Sequence, residues 1–296
     1  MDIKIRRRSS EPDDAIKVGS VRTFLDYLEK LEVDRESAMF FRGHDNFTYK
    51  PIPSIYRNIG WIKNEDVLFK ELILRCPNDF PDNQSTFQAL VRMQHYSLPT
   101  RLLDLTLNPL IALFFASADS LPVNESGEVL FYRVPKREIK YYDSDTASVI
   151  ANISKRPSTF SIPAMTQEIE AFNTTKEIQL LLHEIRGEKP YFDKKIIPEH
   201  IRSVICIKPK MDNARIIRQD GAFFLFGIGQ SKMEPASLPL GYLNPGKLPR
   251  LLVKAQDKLK IRQQLESLGI TKGTVYPEIE RVAEYIKTAY WESTEA

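Results

Sequence analysis

Three segments of the sequence place polar and charged side chains where a buried core does not require them. The first is FFRGHDN, residues 40–46, in which two aromatic residues lead into Arg42, Gly43 and His44. The others are QHYSLPTRLLDLTLNP, residues 94–109, and ARIIRQDGAFF, residues 214–224. An arginine beside a buried apolar run needs a counter-charge. Arg42 is therefore predicted to meet either a carboxylate of the protein or an anionic ligand.

The second segment is the densest in polar groups. It contains Gln94, His95, Tyr96, Thr100, Arg101, Asp104, Thr106 and Asn108. One interpretation is an internal network, in which Asp104 pairs with Arg101 or Arg42 and the threonines bond the backbone. The other is a ligand site, because buried polar clusters are costly unless they are satisfied or used. The residues alone leave both interpretations open.

Periodicity predicts the elements that carry these residues. Apolar spacing predicts helices after Ser20, over 65–75, and over 85–95, where Ser85 and Gln88 form an S-x-x-Q capping box. Alternation predicts a strand over 101–106, and Asn108 with Pro109 begins the next helix. Further predicted strands lie at 39–43, 128–134, 203–208 and 222–228. A further helix is predicted near 174–187, with a capping box of Thr174 and Glu177 at its start and Gly187 at its end. Two more helices are predicted near the C-terminus.

These elements indicate an α+β fold, with a mixed or antiparallel sheet flanked by helices and followed by C-terminal helices. The expected organisation is a mobile N-terminal arm over 1–19 and a single domain over 20–296. An insertion is expected at about 140–200. The proline-rich stretch YKPIPSIYRNIG is predicted to be an extended surface loop.

Composition excludes several classes of protein. The net charge of +3, from 42 basic and 39 acidic residues, is too small to indicate nucleic-acid or membrane binding. Two cysteines without a CxxC motif give no disulfide scaffold or zinc site, so no metal is expected. The apolar runs are too short to span a membrane, so a cytoplasmic location is expected. Neither a G-x-G-x-x-G nor a P-loop motif is present.

The same segments resemble a known family. FRG at 41–43, MQHYSLPTRLLDLTLNPLIALFFA at 93–116 and RQDGAFFLF at 218–226 are similar to the signature blocks of the FRG domain family, and the similarity covers most of residues 20–287. Members more often have Gly and Trp where Ser97 and Leu105 stand here. The resemblance implies a prokaryotic or phage protein linked to antiviral defence.

A second resemblance is to the ADP-ribosyltransferases, and it implies NAD as the cofactor. It implies that Arg42 is the phosphate or ribose clamp and that Thr106 orients Arg42 and the nicotinamide ribose. Together with the polar cluster, it gives as predicted catalytic residues Arg42, His95, Asp104, Thr106 and Gln219. The predicted cofactor-binding residues are Arg42, Gly43, His44, Tyr96, Thr100 and Arg101. Gln219 lies near the position of the usual catalytic Glu, so Asp104, Asp220 or Glu71 would supply the negative charge.

Three functions follow as hypotheses. The first is an NAD-consuming ADP-ribosyltransferase or glycohydrolase, a toxin-like effector that modifies a protein or nucleic acid. The second is a sensor or adaptor that binds a nucleotide or a protein without chemistry. The third is a nucleic-acid hydrolase with His95 or His44 as general base, which lacks the expected basic stripe and paired metal-binding carboxylates.

Overall fold

The computed structural model describes residues 11–12, 14–31, 34–118, 125–163, 168–243 and 250–289. Strands of two to nine residues are found throughout this part of the chain. They are β1 (Ile16–Val18), β2 (Ser37–His44), β3 (Leu102–Thr106), β4 (Gly127–Pro135), β5 (Lys140–Tyr141), β6 (Val204–Lys208), β7 (Gly221–Phe226) and β8 (Leu251–Val253).

The α-helices alternate irregularly with these strands. They are α1 (Val21–Leu28), α2 (Ile59–Lys63), α3 (Glu65–Arg75), α4 (Thr86–His95), α5 (Pro109–Ala116), α6 (Asp145–Asn152), α7 (Ile169–Thr174), α8 (Lys176–Glu188), α9 (Pro198–Ile201), α10 (Ala214–Gln219), α11 (Lys258–Ser267), α12 (Lys272–Val275) and α13 (Ile279–Ala289). The predicted fold class is confirmed: the chain is α+β, with a mixed sheet, flanking helices and helices at its C-terminal end.

The described residues fold into two compact units, each made from separate stretches of the chain. Unit 1 takes its residues from 1–50, 106–133 and 241–296, and unit 2 from 51–105 and 134–240. The single domain and the insertion expected from the sequence stay predictions. Of the arm expected at 1–19, residues 1–10 and 13 lie outside the described residues, and strand β1 forms near its end.

Unit 1 is built around strands from both ends of the sequence. Strand β8 pairs in parallel with β1 and antiparallel with β4, and β2 lies next to β4. At the end of β3, Thr106 pairs with Phe41 of β2. Helices α1, α5 and α11 pack on these strands, and their apolar side chains form one core with Phe24, Leu113 and Ile261 completely buried.

Unit 2 has its own mixed set of strands. Strand β6 pairs antiparallel with β7 and in parallel with β5, while β3 lies next to β7. The core of this unit gathers apolar residues from α4, α6, α8 and these strands, including Leu102, Ile150, Leu181 and Leu225. Strand β3 therefore brings its polar residues to the rim of a well-packed core.

Three local predictions are wrong. Thr174 ends α7 instead of starting α8, whose N-cap is Thr175, so the proposed capping box does not form. Gly187 lies inside α8, which continues to Glu188. The stretch expected to be an extended loop contains a 3₁₀ turn at Ser54–Arg57 and the start of α2, whose N-cap is Asn58.

The region 140–200 contains more helix than the sequence indicated. Helix α6 lacks an amphipathic period because every residue from Thr146 to Asn152 is buried. No helix within the described ranges combines the length and apolar character that a membrane crossing requires.

Candidate functional site

A cleft of about 400 Å³ opens in unit 2 where α4 and β3 lie close to α10 and β7. Apolar and polar side chains share its lining, a combination typical of small-molecule sites. The lining residues are Val91, Gln94, His95, Asp104, Leu105, Arg215, Ile216, Gln219, Gly221, Ala222 and Phe223.

Asp104 is the carboxylate among these lining residues, and a chain of hydrogen bonds fixes its position. Gln94 Nε2 donates to Asp104 Oδ2 at 2.8 Å, and Thr100 Oγ1 donates to Gln94 Oε1 at 2.7 Å. Thr100 in turn is buried and accepts from Leu102 N at 3.1 Å. The strand backbone thus orients Asp104 through two side chains, and the carboxylate remains exposed to the cleft.

His95 is held on the opposite wall by Asn213, the residue that caps α10. Asn213 Oδ1 accepts from Arg215 N at 2.8 Å, so its Nδ2 faces His95 Nδ1, which lies at 2.5 Å. An amide nitrogen only donates, and this bond therefore places the ring proton of His95 on Nε2. Arg215 Nη1 donates to the carbonyl oxygen of His95 at 3.2 Å, which ties α10 to the end of α4.

The end of α4 has a special backbone. Ser97 has a φ of 64°, its N–H donates to Gln94 O, and Leu98 N–H donates to Met93 O. These two bonds form a Schellman motif, in which the left-handed position usually holds Gly. Tyr96 caps the helix, stacks on His95 with ring centroids 5.3 Å apart, and remains exposed.

Gln219 reaches the cleft from the last residue of α10. Asp220 follows it with a φ of 47° and ends the helix in the left-handed region, after which Gly221 begins β7. This tight connection places Gln219 and Ala222 on the same cleft. The position that the resemblance assigns to a catalytic Glu is therefore at the cleft, and it carries an amide.

Arg101 lies away from the cleft, completely buried in an ionic network. Its Nε and Nη2 donate to Glu65 at 2.9 and 2.5 Å, and its Nη1 donates to Phe226 O at 3.0 Å. Lys232 Nζ lies 3.1 Å from the same carboxylate. Burial would raise the pKa of Glu65, but Arg101 and Lys232 outweigh it and hold that pKa below its ordinary value. These contacts give Arg101 a structural role.

Arg42 and Thr106 both belong to unit 1, and the strand register separates them. Phe41 lies directly opposite Thr106, so these two side chains share a face, while Arg42, as the next residue, points to the other face. Burial raises the pKa of Tyr132, and the nearby Arg42 cation opposes that rise. Arg42 thus lies near Tyr132, on the face opposite to Thr106.

The residues that follow Arg42 hold unit 1 together. A Cβ atom at Gly43 would lie 1.8 Å from Ala112 O, so β2 and α5 contact each other through bare backbone. His44 Nε2 lies 3.0 Å from the buried Glu128, and Arg250 donates to both oxygens of that carboxylate. Burial would raise the pKa of Glu128, but its bonds to Arg250 and His44 lower it overall.

The structure therefore brings together part of the set of residues predicted from the sequence. His95, Asp104 and Gln219 line one cleft, and Thr100 and Tyr96 are joined to it by contacts. Arg42, Gly43, His44 and Thr106 belong to unit 1, and Arg101 is part of the buried network.

Two polar lining residues of the cleft, Gln94 and Arg215, were not assigned a role from the sequence, and neither was Asn213, which contacts His95. Asn213 stands directly before ARIIRQ, and an Asn in that place is a common helix N-cap. That pattern is the signal that could have revealed α10. Within the described ranges, no group of three or more His, Cys, Asp or Glu side chains is arranged to hold a metal ion.

Comparison with known proteins gives one match. No curated protein matches the chain. No solved structure matches it either. A family model does match less than a third of the chain, and the matched range contains Arg42, His95 and Asp104 but ends before α10 and β7. At the level of the family, residues 37–125 match the FRG domain.

Proposed function

We propose that the cleft of unit 2 binds the nicotinamide riboside end of NAD and that the protein cleaves its N-glycosidic bond. In this reaction the bond from ribose C1′ to the ring nitrogen breaks, and its electron pair leaves with nicotinamide. Water or a nucleophile of a target molecule then bonds to C1′ and loses a proton. The products with water are nicotinamide and ADP-ribose, and with a target they are nicotinamide and an ADP-ribosylated molecule.

The observation that carries this proposal is the fixed carboxylate of Asp104 in a cleft lined mainly by neutral groups. Positive charge develops on the ribose as nicotinamide leaves, and a carboxylate held in place stabilises it without reorganisation. Gln94 fixes the carboxylate at 2.8 Å. The amide of Gln219 and the apolar Phe223 supply contacts that suit the carboxamide and the ring of nicotinamide.

The first prediction concerns Asp104→Asn, which preserves the size of the side chain and an oxygen that can accept from Gln94. We expect the rate of nicotinamide release from NAD to fall by about 100-fold or more, the range found when one preorganised electrostatic group is removed. Chromatographic quantification of nicotinamide measures it, with circular dichroism to verify folding.

The matched control is Asp26→Asn, an exposed carboxylate of α1 that lines neither the cleft nor the other cavity of unit 2 described below. It should leave the rate unchanged. A purified wild-type protein that binds NAD but releases no nicotinamide would exclude the reaction, and equal rates in both variants would exclude the role of Asp104.

A second candidate function is nucleotide binding without turnover, as in a sensor or adaptor. The observation that favours it is Gln219, a neutral amide where the ADP-ribosyltransferase resemblance expects a carboxylate. Under this alternative, calorimetry shows NAD binding to the wild-type protein without nicotinamide release. The variant Gln219→Glu separates the two, because an added carboxylate should speed turnover only where the cleft already positions the glycosidic bond.

The proposed biological setting is a prokaryotic or phage defence system, and it rests on the FRG resemblance. An effector that consumes NAD should lower the NAD content of cells that express it, and the Asp104→Asn variant should not. Extraction and enzymatic assay of NAD from both cultures tests this setting independently of any target.

A further inference from the structure

A second groove of about 860 Å³, open to solvent, lies beside the cleft in unit 2. Val91 lines both cavities, and Asn213 lines the groove while its amide nitrogen contacts His95 of the cleft. The two cavities are therefore adjacent. The groove is lined mainly by polar groups, among them Asn83, Gln84, Gln88, Arg92 and Lys210.

Two cations are positioned along this groove. Arg92 Nη1 donates to the carbonyl of Asp79 at 2.6 Å and lies 3.4 Å from its carboxylate. Within the described part of the chain the hydrogen bonds of Arg92 go through Nη1, and a guanidinium carries five N–H donors. Lys210 is exposed, with its ammonium 4.8 Å from the centroid of the Tyr142 ring. Asp79 and Asp212 balance these two positive charges, so the groove offers an anion directed N–H donors and no net positive charge.

We propose that this groove binds the diphosphate of the ADP half of the ligand, so that a dinucleotide spans both cavities. The inference rests on the proposed function, because the cleft is assigned to the nicotinamide riboside end. A planar guanidinium and an ammonium that line the same groove suit the oxygens of two linked phosphates. The carboxamides of Asn83 and Gln84 present both donors and acceptors to a ribose or an adenine edge.

The test compares three ligands by calorimetry: NAD, ADP and nicotinamide riboside, which carries no phosphate. We expect Lys210→Gln to weaken the binding of NAD and of ADP by about tenfold, as for the loss of one charge-assisted hydrogen bond. The affinity for nicotinamide riboside should not change. Lys210 is exposed, so its replacement leaves the core intact. The matched control is Lys63→Gln, an exposed lysine of α2 that does not line the groove.

The possible outcomes distinguish a failure of the groove inference from a failure of the proposed function. If ADP competes with NAD and only Lys210→Gln weakens it, the inference is supported. If NAD is cleaved while ADP neither binds nor competes, the inference is wrong and the proposed function stands. If ADP binding depends on Lys210 but the wild-type protein releases no nicotinamide from NAD, the groove stands and the proposed function is wrong. If none of the three ligands binds, both are wrong.

Discussion

Ser97 is a residue whose identity conflicts with its backbone. It occupies the left-handed position of a Schellman motif at φ 64°, where a side chain costs about 1 kcal/mol relative to Gly. We therefore predict that Ser97→Gly raises the free energy of unfolding by about 1 kcal/mol, measured by urea denaturation.

The matched control for Ser97 is Gly269→Ala. Gly269 has a φ of 80° and open space around it, so an added methyl group meets backbone strain alone and should lower stability by a similar amount. A Ser97→Gly variant that is less stable than the wild type would show that the serine side chain contributes more than the strain it imposes.

Glu65 should make stability depend on acid. Its folded-state pKa lies below the ordinary 4.5, so its contribution is present above about pH 4.5 and is lost as the pH falls through the folded-state value. We expect Glu65→Gln to lower the free energy of unfolding by about 3 kcal/mol at neutral pH, because Arg101 and Lys232 stay buried without their counter-charge. The variant should also lose less stability than the wild type on acidification.

Glu71→Gln, on the same helix, provides the comparison for Glu65. Glu71 pairs with Arg75 on an exposed surface, and such pairs contribute under about 1 kcal/mol. Thermal unfolding followed from pH 7 to pH 3 checks both variants. If the stability of Glu65→Gln and of the wild type falls in parallel with pH, Glu65 is not the source of the acid dependence.

At the residue scale, the sequence located the polar cluster but did not show which of its residues are buried in ion pairs and which face a cleft. Arg101 directly precedes strand β3 and Asp104 lies three positions later within it, yet Arg101 is completely buried against Glu65 and Asp104 faces the cleft. Arg101 receives its counter-charge from Glu65, which also pairs with Lys232, and both of these residues come from distant parts of the chain. Periodicity alone cannot supply such long-range pairing.

At the scale of elements, the contact between β2 and α5 depends on Gly43. A Cβ there would lie 1.8 Å from Ala112 O, and backbone atoms on both elements would have to move. We predict that Gly43→Ala lowers the free energy of unfolding by about 3 kcal/mol, the upper range for overpacking.

Gly187→Ala is the control for that substitution. Gly187 lies in α8 with no atom within 4 Å of an added Cβ, so alanine should raise stability by up to about 1 kcal/mol through helix propensity. Chemical denaturation of both variants measures the difference. Equal stability of Gly43→Ala and the wild type would show that the two elements can separate at no cost.

Long or well-capped elements and the apolar strands could be predicted from the sequence, whereas short elements and the buried helix α6 could not. Helix α4 has the predicted capping box of Ser85 and Gln88, and α5 has the predicted cap of Asn108. Strands β1, β5 and β8 have two or three residues, too few for any period to show. Helix α10 has six residues, and so the element that brings Arg215 and Gln219 to the cleft was missed.

At the scale of the whole molecule, both units draw on stretches that are far apart in sequence. The chain passes from one unit to the other after residues 50, 105, 133 and 240. Contacts between such distant stretches require large loops to close, which slows folding. The sequence predicted the longer strands, but the short strands β1 and β8 give no local signal from which their pairing could have been predicted.

The pairing of β1 with β8 has a consequence for synthesis on the ribosome. Unit 2 is complete in sequence at residue 240, whereas unit 1 still lacks β8, which pairs with β1 on one side and β4 on the other. Strand β1 therefore has no pairing partner until Leu251–Val253 has been synthesised. Until then one edge of β4 is unpaired and can pair with strands of other chains. A nascent chain arrested between residues 240 and 253 would carry a complete unit 2 and an incomplete, aggregation-prone unit 1. This is the state in which a chaperone is most needed.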